Sequence, residues 1–143
     1  MLVRLLYASR ADAAMNDAGL HAILKQSHAH NPEAGITGVL CACLNARIFI
    51  QVLEGGRSQV SRLYHRIAQD PRHHDVELLC YEDIAERRFA SWSMGQVNMN
   101  RLNPALLLRY SETAKLDPYA LPGQATMALF NELVATASVV GQG

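Results

Sequence analysis

Cysteine is scarce: the 143 residues contain only Cys41, Cys43 and Cys80. An odd count behind no secretory leader argues against a disulfide framework. A Cys-x-Cys pair without further ligands is not a zinc site, so no metal is expected and the thiols read as buried and inert. Net charge is also missing, because 13 basic and 13 acidic residues cancel. That removes the electrostatic footprint of a nucleic-acid or anionic-membrane binder. No apolar run approaches the roughly 20 residues that span a bilayer. The opening MLVRLLYASR lacks a sustained apolar core and a small-residue cleavage site. The expected location is therefore the cytoplasm, with no direct nucleic-acid or membrane binding. Repeats and low-complexity tracts are absent too. What is present is ordinary globular composition, 50% apolar and 18% charged, on a chain long enough for one domain and a short appendage.

The periodicities predict a strand over 2–9, with Val3, Leu5 and Tyr7 on the face opposite Arg4. A helix is predicted over 16–29, capped by Asn16 or Asp17 and stopping near His30, since the residue before Pro32 disfavours helix. Asn31 then falls in an extended or turn conformation at that helix end. Two strands apolar on both faces, 36–44 and 47–54, are separated by Asn45 and Ala46, predicting a tight hairpin. Gly55–Gly56 is expected to break the second of them. From about Ser58 the apolar residues Val60, Leu63, Tyr64, Ile67 and Ala68 form a helical stripe, ended by Asp70–Pro71. Strands are predicted at 75–82 and 89–98. The order is β-α-β-β-α-β plus one strand. This is a ferredoxin-like α+β fold, a mixed five-stranded sheet with both helices on one face. The other face keeps Leu6, Ile48, Ile50 and Val52 and needs a cover. A short helix at 104–110 and a longer one at 124–140, apolar on most sides, are the candidates.

Several polar residues sit where the pattern predicts core. Gln51 interrupts the apolar run FIQVL, and a buried amide without partners costs about 1–3 kcal/mol. It is either a core glutamine bonded to backbone or water, or a functional group. Tyr7 is either an ordinary core tyrosine or the partner of Gln51, because the two strands are expected to be neighbours. Asn31 reads as a helix stop or a ligand contact, and Arg66 as a solvated side chain or a donor facing a ligand between the helices. Trp92 and Met94, two apart on a predicted strand, share a face and read first as core.

The stretches LLYASR, HNPEAGITGVL, FIQVLEG, YHRIAQDPRHH and FASWSMG, in this order, resemble the BLUF family of blue-light sensors that use FAD. The resemblance covers about residues 1–98, and GITGVL followed by QVLEG is its most specific part. It implies FAD held non-covalently between the two helices, ring edge against the sheet. It further implies that Tyr7 donates an electron and a proton to the excited flavin and that Gln51 bridges Tyr7 and the ring. A glutamine amide both donates and accepts, so rotation or tautomerisation of Gln51 changes the hydrogen bonds to the flavin and shifts absorption to the red. Asn31 matches the residue holding the C4 carbonyl and N3 edge. His30 stands where some members carry a second asparagine. Ile36, Phe49 and Leu53 match positions lining the ring. Arg66, Asp70, Arg72 and His73 match positions near its polar edge or the ribityl chain. Trp92 and Met94 match the pair that alternates near the chromophore or relays the signal.

Two rival functions share this architecture. An acylphosphatase-like enzyme needs an early phosphate-cradling loop, and SRADAAMND after the first strand has no glycine-rich cradle. A pure interaction module built on the tail helix is compatible with sensing. The reading is thus a photosensory signalling module, not an enzyme. Residues 1–98 form the sensor and residues 99–143 a helical extension against the sheet or at an interface. The output is expected to pass through a homo-oligomer or a downstream protein that the sequence does not identify.

Overall fold

The computed structural model describes residues 1–136. Its elements run β1 (Leu2–Ala11), α1 (Asp17–Ala34), β2 (Thr37–Cys43), β3 (Ile48–Gly56), α2 (Arg57–Gln69), β4 (His73–Ile84), β5 (Gly95–Asn98), α3 (Pro104–Leu108), a 3-10 turn at Pro118–Ala120 and α4 (Gly123–Thr136). The sheet order is β4-β1-β3-β2-β5, antiparallel except for the parallel β2–β5 pair. This is the expected ferredoxin-like sheet with a fifth strand.

Alternation along the strands divides the interior into two cores. Val3, Leu5, Tyr7, Leu40, Phe49 and Leu53 face α1 and α2. Leu6, Val39, Cys41, Ile48, Ile50 and Val52 face the other way, where Leu107, Leu129, Phe130 and Leu133 of the tail cover them. The cover predicted for the open sheet face is therefore α3 and α4. Of the helix expected over 124–140, positions 137–140 lie outside the described residues. On this second face Arg4 is not solvated. It is 6% exposed and pairs with the fully buried Glu54 at 2.8 Å and with Glu82 at 2.9 Å.

Four local expectations are corrected. First, α1 passes through Pro32 and ends two residues later at Ala34. Proline removes a single N–H donor, and so near the end the loss is absorbed. Gly35, at φ 68°, supplies the left-handed stop and donates to the carbonyls of Asn31 and Pro32. Asn31 consequently sits in the last helical turn, not in an extended segment. Second, the hairpin loop spans Leu44–Arg47 with Arg47 at φ 59°, not two residues. Third, β3 continues through the glycine pair, with Gly55 opposite Val3 and Gly56 opposite Leu2. A Cβ on Gly55 would lie 2.9 Å from the Gly35 carbonyl, so glycine serves close packing here, not strand breaking. Fourth, the last strand is only Gly95–Asn98. Residues 89–94 form turns because their backbone is bonded outside any ladder: Phe89 N–H to the Glu54 carboxylate, and the Trp92 carbonyl to Gly38 N–H. Trp92 and Met94 therefore do not share a strand face. Met94 belongs to the α1/α2 core and Trp92 to the tail-side core.

Candidate functional site

The register of β1 and β3 sets Tyr7 directly opposite Gln51, under the two helices. Tyr7 is 0% and Gln51 5% exposed. The Tyr7 hydroxyl donates to Gln51 Oε1, and Gln51 Nε2 is directed at Met94 Sδ, 3.1 Å away. Burial pushes the Tyr7 phenol far above its ordinary pKa, and Tyr64 and Asp70 reinforce the shift. Tyr7 is thus held as a protonated donor with a single side-chain acceptor at its hydroxyl. A thioether is a weak acceptor, so the Gln51 amide is well satisfied at its oxygen and poorly at its nitrogen.

Helix α1 reaches this cluster from the side. Asn31, 4% exposed, donates from Nδ2 to the Ser93 carbonyl at 2.7 Å. His28 Nε2 lies 2.9 Å from the Met94 carbonyl, which can only accept, so Nε2 carries the hydrogen. The backbone at Ser93–Met94 is thereby tied to the helix. His73 opens β4 instead of lying in a loop. Its Nδ1 is 2.8 Å from Ser9 Oγ, and its ring packs 5.2 Å from Phe49 and 6.2 Å from Tyr7, centre to centre. Burial lowers the His73 pKa to about 4, so the ring is neutral near pH 7. Arg72 binds the Asp70 carboxylate at 2.6 Å and Gln26 at 3.0 Å. That hydrogen bonding holds the Asp70 carboxyl below the ordinary carboxylate range.

Between α1 and α2 a cavity of about 490 Å³ opens above Gln51. Its walls come from Ile23, Gln26, Ser27, His30, Asn31, Glu33 and Ala34 of α1, and Gln59, Leu63, Arg66 and Ile67 of α2. Asp70, Arg72 and His73 close the far end. Of the sequence candidates, Asn31, His30, Gln51, Arg66, Asp70, Arg72 and His73 meet in this one cavity. Ile36, Phe49 and Leu53 are buried to within 2% in the core on the same sheet face and are not among the lining residues. Met94 touches Gln51, whereas Trp92 stacks on Phe89 at 6.2 Å on the opposite side of the sheet. Trp92 Nε1 is the one buried side-chain polar atom without a partner among the described residues.

Sequence reasoning missed Gln26, Ser9, Glu33 and Gln59. A signal existed for α1: Ile23, Gln26, Ser27, His30, Asn31 and Ala34 recur at i, i+3, i+4, i+7, i+8, i+11, one helical face. Polar residues continuing the core-facing stripe mark a place where the helix faces something other than side chains. The volume lies within the range of cofactor pockets. Walls that mix Ile23, Ala34, Leu63 and Ile67 with polar side chains, the buried amides of Asn31 and Gln51, and the arginines Arg66 and Arg72 suit a planar heteroaromatic ring with polar edges and an anionic tail.

The model of the BLUF family, described as sensors of blue-light using FAD, matches residues 2–95. The photoactivated adenylate cyclase subunit beta of Euglena gracilis is 38% identical over 94 residues, 65% of this chain. The blue light- and temperature-regulated antirepressor BluF of Escherichia coli (strain K12) is 35% identical over 95 residues, 66% of this chain. The chain spans only 11% of the first relative and 23% of the second. Among solved structures, the BlsA photo-activated state superimposes with a TM-score of 0.84 at 32% identity, covering 100% of this chain and 99% of that one. The dark-state structure of the BLUF protein BlrB gives 0.76 at 34% identity, with 94% and 95% covered. The Tyr7–Gln51 pair beneath an interhelical cavity is therefore set in the frame of a known class of light sensor, and the chain belongs to the BLUF family, whose cofactor is FAD.

Proposed function

We propose that this chain is a blue-light switch in which Tyr7 and Gln51 convert excitation into a changed hydrogen-bond pattern. The observation that carries the reading is the buried run Tyr7–Gln51–Met94, of which Gln51 faces the cavity. FAD, when bound, supplies the blue absorption and an excited state that accepts an electron. Asn31, His30 and Arg66 would hold its polar edges from the helices, and Asp70, Arg72 and His73 would hold the far end. Ile36, Phe49 and Leu53 do not line the cavity; they would form the packed core layer on that sheet face that backs the ring. Tyr7 keeps its proton on Oη in the dark, because burial makes the phenolate costly. Release of that proton is favourable only when the phenol is oxidised. Gln51 Oε1 is the acceptor already in place. Reorientation or tautomerisation of Gln51 then exchanges a poor donor contact, to a thioether, for a better one, and the new arrangement persists in a two-state manner.

The tail is the output element in this reading. The Escherichia coli relative is named an antirepressor, and the Euglena relative a cyclase subunit far longer than this chain. Residues 99–136 carry two helices against the sheet, and these offer the surface through which a downstream protein or a second copy is engaged. Absorption of the purified, FAD-loaded chain before and after blue light tests the reading. A flavin spectrum that moves to the red and reverts in darkness is expected. Tyr7→Phe must abolish the shift while FAD stays bound; a variant that still shifts refutes the role given to Tyr7.

A further inference from the structure

The chain between β4 and β5 is held at both ends by one strand. At one end Gln51 meets Met94, on the α1/α2 face. At the other, Glu54 of the same strand projects to the tail face. There its carboxylate accepts Arg88 N–H at 3.0 Å, Phe89 N–H at 2.7 Å and Arg4 Nε at 2.8 Å. Glu54 is 0% exposed. These donors satisfy it, and no other described residue neutralises it so closely as Arg4. The held segment in turn carries the contacts to the last helix. The Phe89 ring packs edge-on to Phe130 of α4 at 5.8 Å, and Arg88 Nη1 donates to Asn131 Oδ1 at 2.8 Å. Between the two anchors lies Trp92, stacked on Phe89 with its indole N–H unpartnered.

We infer that Glu54 is the positioning residue that couples the Gln51 site to α4, by clamping residues 88–89 to β3. The inference rests on the proposed light switch and adds a residue outside the cavity to it. A displacement of Met94 by Gln51 acts on a seven-residue bridge (Arg88–Met94) whose far end is pinned by two charge-assisted bonds to Glu54, itself fixed by Arg4. A pinned end transmits displacement to Phe89 and Phe130; a loose end absorbs it. Shape is not the only reason for a carboxylate. Neither an amide nor a hydroxyl presents two acceptor oxygens to two successive backbone N–H groups while also neutralising Arg4.

The test is amide hydrogen exchange resolved by residue, on the FAD-loaded full chain, in darkness and under steady blue light. In the unsubstituted protein, Arg88 and Phe89 amides should stay protected in darkness and in light, while amides of Phe130 and Asn131 lose protection in light. In Glu54→Gln the red shift of the flavin should remain while the light-induced change in α4 disappears. Glu54→Asp, which keeps the charge for Arg4 but falls one methylene short, should behave the same way and serves if Glu54→Gln does not fold. Light-induced changes in α4 that survive in either substituted chain overturn the inference. So do Arg88 and Phe89 amides that lose protection in light in the unsubstituted protein, a result needing no variant. Absence of any red shift in the unsubstituted protein instead refutes the switch itself, so the two failures are distinguishable.

Discussion

Tyr7 and Gln51 bury their polar ends against each other, and a double-mutant cycle in darkness measures what that contact is worth. In Tyr7→Phe the Gln51 carbonyl loses its donor in a site where Gln51 is 5% exposed. An orphaned buried acceptor costs about 1–3 kcal/mol. In Gln51→Leu the Tyr7 hydroxyl is orphaned in turn, at 0% exposure, with a similar cost, while the bond to Met94 Sδ adds little because thioethers accept weakly. Replacing both partners with apolar groups removes the orphan in either direction, so the double variant should be nearly as stable as the better single one. The coupling expected is therefore about 1–3 kcal/mol, well above the ~0.5 kcal/mol within which independent sites add. The assay is urea unfolding with FAD at one fixed excess, since cofactor binding shifts apparent stability by mass action. Additive single effects would refute the contact and with it the role of Gln51 as first proton acceptor.

Two further outcomes follow from the same geometry. His73 has a folded pKa near 4 against an unfolded value near 6.5. The unfolded chain therefore binds more protons between these values, so stability is complete above about pH 6.5 and falls as pH drops toward 4, by on the order of 3 kcal/mol; His73→Gln should flatten that part of the pH–stability curve, and an unchanged slope would refute the assignment. Gly123 begins α4 where a Cβ would sit 1.9 Å from the Leu79 carbonyl. Gly123→Ala should lift the helix start from β4 at about 1–3 kcal/mol, read as lost amide protection in α4 with the flavin spectrum intact; unaltered protection would show that α4 docks without that close approach.

The sheet was legible because its signals are local and regular. Two-sided apolar strands at 36–44 and 47–54 and the Val60–Ile67 stripe fixed the order of elements, and the apolar excess left on Leu6, Ile48, Ile50 and Val52 announced the tail as a cover. The errors fall where a tertiary bond overrides a local preference. Pro32 reads as a stop, yet the stop is Gly35, because the left-handed cap and not the missing N–H ends the helix. Gly55–Gly56 reads as a break, yet β3 runs through both and Gly55 lets it pass close to Gly35.

The segment 89–94 shows the limit most clearly. FASWSMGQVN has the composition of a strand, and strand periodicity puts Trp92 and Met94 on one face. Its backbone groups, however, are claimed by residues far away in sequence: Glu54 takes the Phe89 amide, Gly38 the Trp92 carbonyl, Asn31 the Ser93 carbonyl and His28 the Met94 carbonyl. A strand needs those groups for its neighbours, so it cannot form, and Trp92 and Met94 part to opposite sides of the sheet. None of these partners is visible as a pattern within ten residues. The cost of this irregular stretch is a bridge whose shape depends on side chains from α1 and β3 and on the Gly38 N–H of β2. A regular strand would have tied Met94 to β2 by a ladder that resists change, whereas a bridge held by individual polar contacts can be re-formed one contact at a time. The place where local reading fails is thus the place best suited to move, which is why the search for the signal should begin at residues 88–94 and not at the ring-lining core.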